Sequence, residues 1–303
     1  MSIVRSVRDL CRLTVKEETA YAKEDALTGT TAGILYTAAE GTESEYEDVP
    51  QCGTMVRSDR FLKKMGFKPK FKFRPNAADL KKWIGWARYT SSAPSGTSLR
   101  IMVRIGPSEY LCWTGVRIDT LEVTASGIGE PIEVTATCVA AKMYKSASVT
   151  EKNGAATATF SGASSFTFAE TAGTYGQPTR WLTVPKAGSE SMTDTSSWTV
   201  SLSRSLEAEP AQDPAGTSVA LSAGLGSHAT AWTVTAKVTA RSIRSSAWDA
   251  RRISGYTAGT LTVPVTGGTM TLSNAVLDVS GVSRSADAPY TEDLEFSCSD
   301  ISM

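Results

Sequence analysis

A single imidazole, His228, stands among Gly226, Ser227 and Ala229 in this 303-residue chain, a turn-like setting with no carboxylate or nucleophile beside it. Acyl transfer needs a nucleophile, a base and an orienting acid held together, and the sequence marks out no such set. The five cysteines, Cys11, Cys52, Cys112, Cys138 and Cys298, are scattered without a C-x-x-C pair, so neither a zinc site nor a disulfide framework is indicated. Cys138 and Cys298 fall on the apolar phase of strand-like runs, the place of a small buried hydrophobe rather than a reactive thiol. Gly127-Ile128-Gly129 joins two such runs and opens no helix, so it lacks the helix N-terminus that cradles a phosphate. Carboxylate pairs for glycoside hydrolysis meet in space rather than along the chain, and nothing singles one out. The expectation is a protein without a catalytic centre, a cofactor or a metal.

Charge is organised at two places only. Lys68, Lys70, Lys72 and Arg74 alternate with Phe67, Phe71 and Phe73, the period of a strand with one buried and one solvated face; Lys81 and Lys82 follow. Residues 38–49 carry Glu40, Glu43, Glu45, Glu47 and Asp48 and read as an exposed acidic loop or hairpin tip. The two groups are candidates for a contact between subunits, where charge complementarity sets register and orientation. Over the whole chain 31 basic and 31 acidic residues cancel, which disfavours a dedicated nucleic-acid binder. Trp83 and Trp86 are expected in packing rather than as base-stacking platforms.

The elements that must hold these residues are mostly strands. Thr, Val, Ala, Ser and Gly are abundant and favour strands and turns. Asn76 is a plausible N-cap, with Leu80, Trp83, Ile84 and Ala87 on one helical face beyond it. Strands are expected over 99–105, 110–119, 120–125 and 132–140. The strand-then-helix order recurs: Trp232, Val234, Ala236 and Val238 alternate with polar residues, and a serine-capped segment follows over 246–253. Further strands are expected over 261–265, 270–272, 275–280 and 293–299. Leu121, Val123 and Ala125 match Ala275, Leu277 and Val279, and Cys138 matches Cys298, which reads as a divergent duplication. The division expected is a first β domain at 1–143, a Ser/Thr/Gly-rich linker or surface insertion at 144–197, and a second β domain at 198–303. Arg5, Arg8, Asp9 and Arg12 break any apolar signal core, and no stretch reaches bilayer-spanning length; synthesis in the cytoplasm is expected, with no membrane partner.

The run Trp113-Thr114-Gly115-Val116-Arg117-Ile118-Asp119-Thr120-Leu121-Glu122-Val123-Thr124-Ala125, its Gly-containing turn and the strand ending Cys138-Val139-Ala140-Ala141-Lys142 resemble the tail tube (major tail) proteins of long-tailed bacteriophages. Trp198-Thr199-Val200-Ser201-Leu202-Ser203-Arg204-Ser205-Leu206-Glu207 is similar to that family's strand before its connecting loop. The resemblance implies a mainly β fold of two tandem β-sandwich or partial-barrel domains, each with one short flanking helix. It also implies a non-enzymatic virion protein, assembled as trimeric rings of pseudo-six-fold symmetry that stack into a conduit for double-stranded DNA. Its partners are then other copies of itself, the tape measure and terminator proteins of the tail, and DNA passing non-specifically. A tandem β-sandwich adhesin or carbohydrate-binding module is the alternative, and it requires exposed aromatics on a groove or on loop tips.

Overall fold

The computed structural model describes residues 12–39, 41–50, 57–88, 90, 96–106, 108–152, 155–162, 165–171, 175–204, 206–210, 223–229, 232–241, 256–285 and 288–303. The chain is mainly β with one helix among these residues, in one large mixed sheet and two separate hairpins. It opens with β1 (Arg12–Glu17), β2 (Leu27–Ala39), β3 (Thr42–Pro50), β4 (Arg57–Phe67) and β5 (Lys70–Arg74), followed by helix α1 (Ala77–Ala87). Next come β6 (Leu99–Gly106), β7 (Glu109–Ala125), β8 (Glu133–Val139), β9 (Lys142–Lys152), β10 (Ala155–Ser161), β11 (Ser165–Glu170), β12 (Lys186–Ala187) and β13 (Glu190–Ser191). The remainder is β14 (Thr195–Ser203), β15 (Leu206–Pro210), β16 (Ala223–Ala229), β17 (Thr233–Arg241), β18 (Tyr256–Val265), β19 (Gly268–Ser285), β20 (Ala288–Cys298) and β21 (Asp300–Ser302).

Alternation decides the faces. In β5, Phe71 and Phe73 are fully buried while Lys70 and Lys72 are exposed. The Asn76 side chain accepts the Asp79 N–H at 2.9 Å and starts α1, which buries Leu80, Trp83, Ile84, Trp86 and Ala87. Trp83 stacks 4.6 Å from Phe73 and donates its indole N–H to the Ala32 carbonyl at 3.0 Å. The strands β1, β2, β5, β8, β7 and β6 pair in a closed antiparallel circuit around this core.

The segment expected as a linker or surface insertion, 144–197, is instead built into the sheet. Strand β9 pairs the front of β7, β10 and β11 follow, and β11 returns parallel to β2. This second circuit encloses its own core of Met102, Tyr110, Cys112, Ala156, Ala158, Phe160, Phe166 and Phe168. The core was missed because Met102, Tyr110 and Cys112 are supplied to it by the reverse side of β6 and β7. Both faces of β6 over Leu99–Val103 and of β7 over Tyr110–Val116 are therefore buried. Between the circuits lies a buried ion pair, Arg100 to Glu18, both side chains fully buried. Glu18 accepts from Ser98 Oγ and from the backbone N–H groups of Ala22 and Gly115, and Arg100 lies over the Phe166 and Phe168 rings.

A longer sheet grows from the first circuit in the order β2-β5-β8-β7-β14-β17-β20-β19, every pairing antiparallel. Its second half repeats the pairings of the first. Strands β2, β5, β6, β7, β8 and β9 have the same chain order and the same neighbours as β14, β17, β18, β19, β20 and β21. The hairpin β3–β4, between β2 and β5, has its counterpart in β15–β16, between β14 and β17. The correspondence extends to irregularities. A bulge at residue 36 recurs at 196, and one at Asp119 recurs at Asp278. Left-handed Gly115 (φ 63°) recurs as Asn274 (φ 51°).

Three expectations change. With the bulges aligned, Leu121 corresponds to Ser280 rather than Ala275, and Cys138 to Phe296 rather than Cys298. Alternation does not fix position along a strand: the Cys138 match slipped by two residues, and the Leu121 match by five because the bulges at Asp119 and Asp278 break the period. Residues 42–49 of the expected acidic loop or hairpin tip are not a loop but lie in β3, paired with β4 in a hairpin. His228 lies in β16 opposite Glu207 rather than in a turn. The expected helix at 246–253, Glu40, Cys11 and Cys52 lie outside the described residues.

Candidate assembly interface

The long sheet has one buried and one polar face. Phe71, Phe73, Val134, Ala136, Leu121, Val123, Trp198, Val200, Val234, Ala236, Leu294 and Phe296 all point into the core. On the opposite face the cross-strand register aligns rows of charged and hydroxyl-bearing residues. One row runs Arg74, Glu133, Thr124, Thr199, Lys237, Glu295, and the next Lys72, Thr135, Glu122, Ser201, Thr235, Ser297.

Charges on this face neutralise one another. Lys72 and Arg74 both contact Glu133 at 2.7 Å; Lys237 reaches Asp293 at 2.9 Å and Glu295 at 3.7 Å. The hydrogen bond from Lys72, with help from Arg74, holds the Glu133 carboxyl below the ordinary glutamate range. Partial desolvation works against Asp293, but hydrogen bonds from Lys237 and Thr239 carry its pKa down. Bonding to Asp293 raises Lys237. The basic stripe expected at Lys70, Lys72 and Arg74 is thus present on β5, with Lys72 and Arg74 matched by a carboxylate of the neighbouring strand. Lys68 is exposed just before it.

The acidic residues stand apart from that stripe. Glu43, Glu45, Glu47 and Asp48 lie on β3, where the register sets Glu45 opposite Lys64 and Asp48 opposite Arg60 of β4. Both hairpins leave the sheet at one end, where β2 and β14 finish. At the other end the β7–β8 turn exposes Ile128, joined through backbone hydrogen bonds between Gly129, Glu130 and Trp181 to a segment that exposes Leu182.

The two outer strands are β2 and β19. Among the described residues β2 pairs β1 from Thr30 to Ile34, which lies opposite Arg12, the first described residue of β1. Strand β19 pairs β18 from Gly268 to Leu277, which lies opposite Tyr256, the first described residue of β18.

At the centre of the sheet the join between the halves is closed. Strand β14 pairs β7 from Trp198 opposite Ala125 to Ser203 opposite Thr120. Beyond it Arg204 N–H donates to the Asp119 carbonyl at 2.9 Å, and the Asp119 carboxylate accepts the Leu206 N–H at 2.6 Å. Reading the sequence for catalytic residues passed over Asp119. The usable signal was elsewhere, in the E-x-x-P shared by Glu47 to Pro50 and Glu207 to Pro210, which lie at matching places of the two hairpins.

Among the described residues no group of three His, Cys, Asp or Glu side chains is placed to hold a metal, and no helix is long and apolar enough to cross a membrane. No protein-family model and no curated protein sequence matches the chain.

Proposed function

We propose that this protein is a structural subunit that closes into rings and stacks into a tube, as a phage tail tube protein does, and that DNA passes along the tube. The observation that carries the reading is the eight-stranded sheet: one polar, charge-balanced face, and a repeated half whose first strand, β14, joins the last strand of the other half, β7, edge to edge. Eight strands of alternating direction make the two outer ones antiparallel to each other, so copies sharing one orientation can join edge to edge without breaking the alternation.

In this reading the repeated strand order represents two tandem tail-tube-like β domains, 1–143 and 198–303. Three copies then supply six equivalent units and 24 strands. At about 4.8 Å per strand the ring is roughly 37 Å across at the backbone, and strand tilt widens it further. The polar face lines the channel. Phosphates are retained by cations that release their counterions; a face whose lysines are tied to carboxylates offers few of these, and DNA slides. The hairpins β3–β4 and β15–β16 reach from one end of the ring toward the end of the next ring that carries Ile128 and Leu182. The tube belongs to a virion tail made in the host cytoplasm, in contact with the tape measure and terminator proteins.

Negative-stain microscopy of the purified protein tests this directly. Rings or tubes with a central channel are expected; monomers at every concentration and salt would exclude it.

A further inference from the structure

We infer that the join inside the chain is repeated between chains, with residues 38–43 of one copy pairing antiparallel to residues 279–284 of the next in a fixed register. This rests on the ring-forming reading above and adds the partner surface and its alignment. The matching bulges carry each residue from 35 to 50 onto the one 160 places later, and each residue from 118 to 125 onto the one 159 places later. The β7–β14 pairs then transfer without adjustment. Trp198 opposite Ala125 becomes Ala38 opposite Arg284, Thr199 opposite Thr124 becomes Ala39 opposite Ser283, and Leu202 opposite Leu121 becomes Thr42 opposite Ser280.

Three features of the single chain agree. The stretch receiving the new strand, 279–284, is the equivalent of 120–125, the part of β7 that lies beyond its last pair with β6 at Val116 and receives β14. Ala38 is exposed where its counterpart Trp198 is 2% exposed, as expected of a position whose covering strand belongs to another molecule. Asp119, whose carboxylate caps Leu206 across the internal join, has its counterpart in an aspartate, Asp278, which is exposed. The same transfer brings Asp278 to the backbone N–H of Tyr46 in the neighbouring copy. A second copy of this chain is therefore the occupant of both edges.

Cysteine pairing tests the register, because a disulfide needs Cα atoms within about 7 Å. The double variant Ala39→Cys/Ser283→Cys, assembled and mildly oxidised beside the wild type with its own five cysteines, is expected to run on non-reducing gels as a ladder ending at the ring size. Ala39→Cys/Gly281→Cys, shifted by two residues, is expected to give at least ten-fold less. Asp278→Ala is expected to abolish ring formation at concentrations where wild type assembles, with an unchanged melting temperature. Rings that form while the shifted pair cross-links and the matched pair does not, or rings formed normally by Asp278→Ala, overturn the register and leave the ring reading standing. If neither rings nor cross-links form at any concentration, the ring reading fails together with it.

Discussion

Trp83 joins the helix to the sheet through both packing and a hydrogen bond, and it is fully buried. Its truncation leaves a large cavity and an unpaired carbonyl, so Trp83→Ala is expected to destabilise the protein by about 3–5 kcal/mol in denaturant unfolding. A near-zero change would place the ring at the surface. The Arg100–Glu18 pair makes a different kind of demand. Removing one partner of a buried pair strands the other charge, so Arg100→Met is expected to cost about 3–5 kcal/mol near neutral pH. Burial raises the Glu18 pKa, against hydrogen bonds from Ser98 and Ala22 and the charge of Arg100. A carboxyl with a raised folded pKa contributes stability that is present in acid and lost as pH rises through that value. The melting-temperature gap between wild type and Arg100→Met is therefore expected to narrow from pH 8 to pH 5; a gap that widens in acid would refute the assignment.

At the level of elements, the β3–β4 hairpin is where the structure most alters the expectation. Its acidic residues face a basic strand in register, and cross-strand charge pairs contribute only about 0.2–1 kcal/mol each. Replacing Glu43, Glu45, Glu47 and Asp48 by serine should lower the melting temperature only slightly. It should leave rings intact yet abolish or greatly slow their stacking into tubes, as followed by light scattering and microscopy; tubes of normal length and rate would remove the hairpin from the ring contact. What was readable beforehand follows from period. Phe71 and Phe73 against Lys70 and Lys72, or Val234 to Val238 against Thr233 to Lys237, declare a strand and its buried face. Asn76 and the Leu80, Trp83, Ile84 spacing declare α1. The partner of a strand is set by distant segments, so nothing in residues 145–170 showed that they share a core with Met102 and Cys112. Nor did the charge pattern reveal that Glu133, 59 residues from Arg74, would engage the basic stripe. Of the candidate interface residues, the basic ones were legible as a solvated face, whereas the pairing of β7 with β14 carries no compositional mark at all.

For the whole molecule, balance on the polar face has a consequence for salt. In the proposed channel Lys72, Arg74 and Lys237 are tied to carboxylates, so DNA should be held weakly at any ionic strength. Thr124→Lys, Thr199→Lys and Thr235→Lys add unpaired charge along the face without touching the core. Tubes of the triple variant are expected to retain duplex DNA at low salt and release it steeply as salt rises, while wild-type tubes retain little throughout; equal retention by both would mean that this face does not meet DNA.

The pairing of distant segments also governs how fast the subunit becomes available. Strand β1 waits for β6, β2 waits for β11, and Arg88 is clasped by Asp300, 212 residues away. Contacts of such separation make chain closure the slow step, and β proteins dominated by them refold over milliseconds to seconds rather than microseconds. The two outer strands therefore mature at different times: β19 forms local hairpins with β18 and β20 and can settle early, whereas β2 must await β5 across the β3–β4 hairpin and β11 far along the chain. If the proposed ring forms through these strands, a half-folded molecule offers one edge and not the other during that interval, so each incomplete copy would act as a temporary chain terminator and folding rather than encounter would set the pace of assembly.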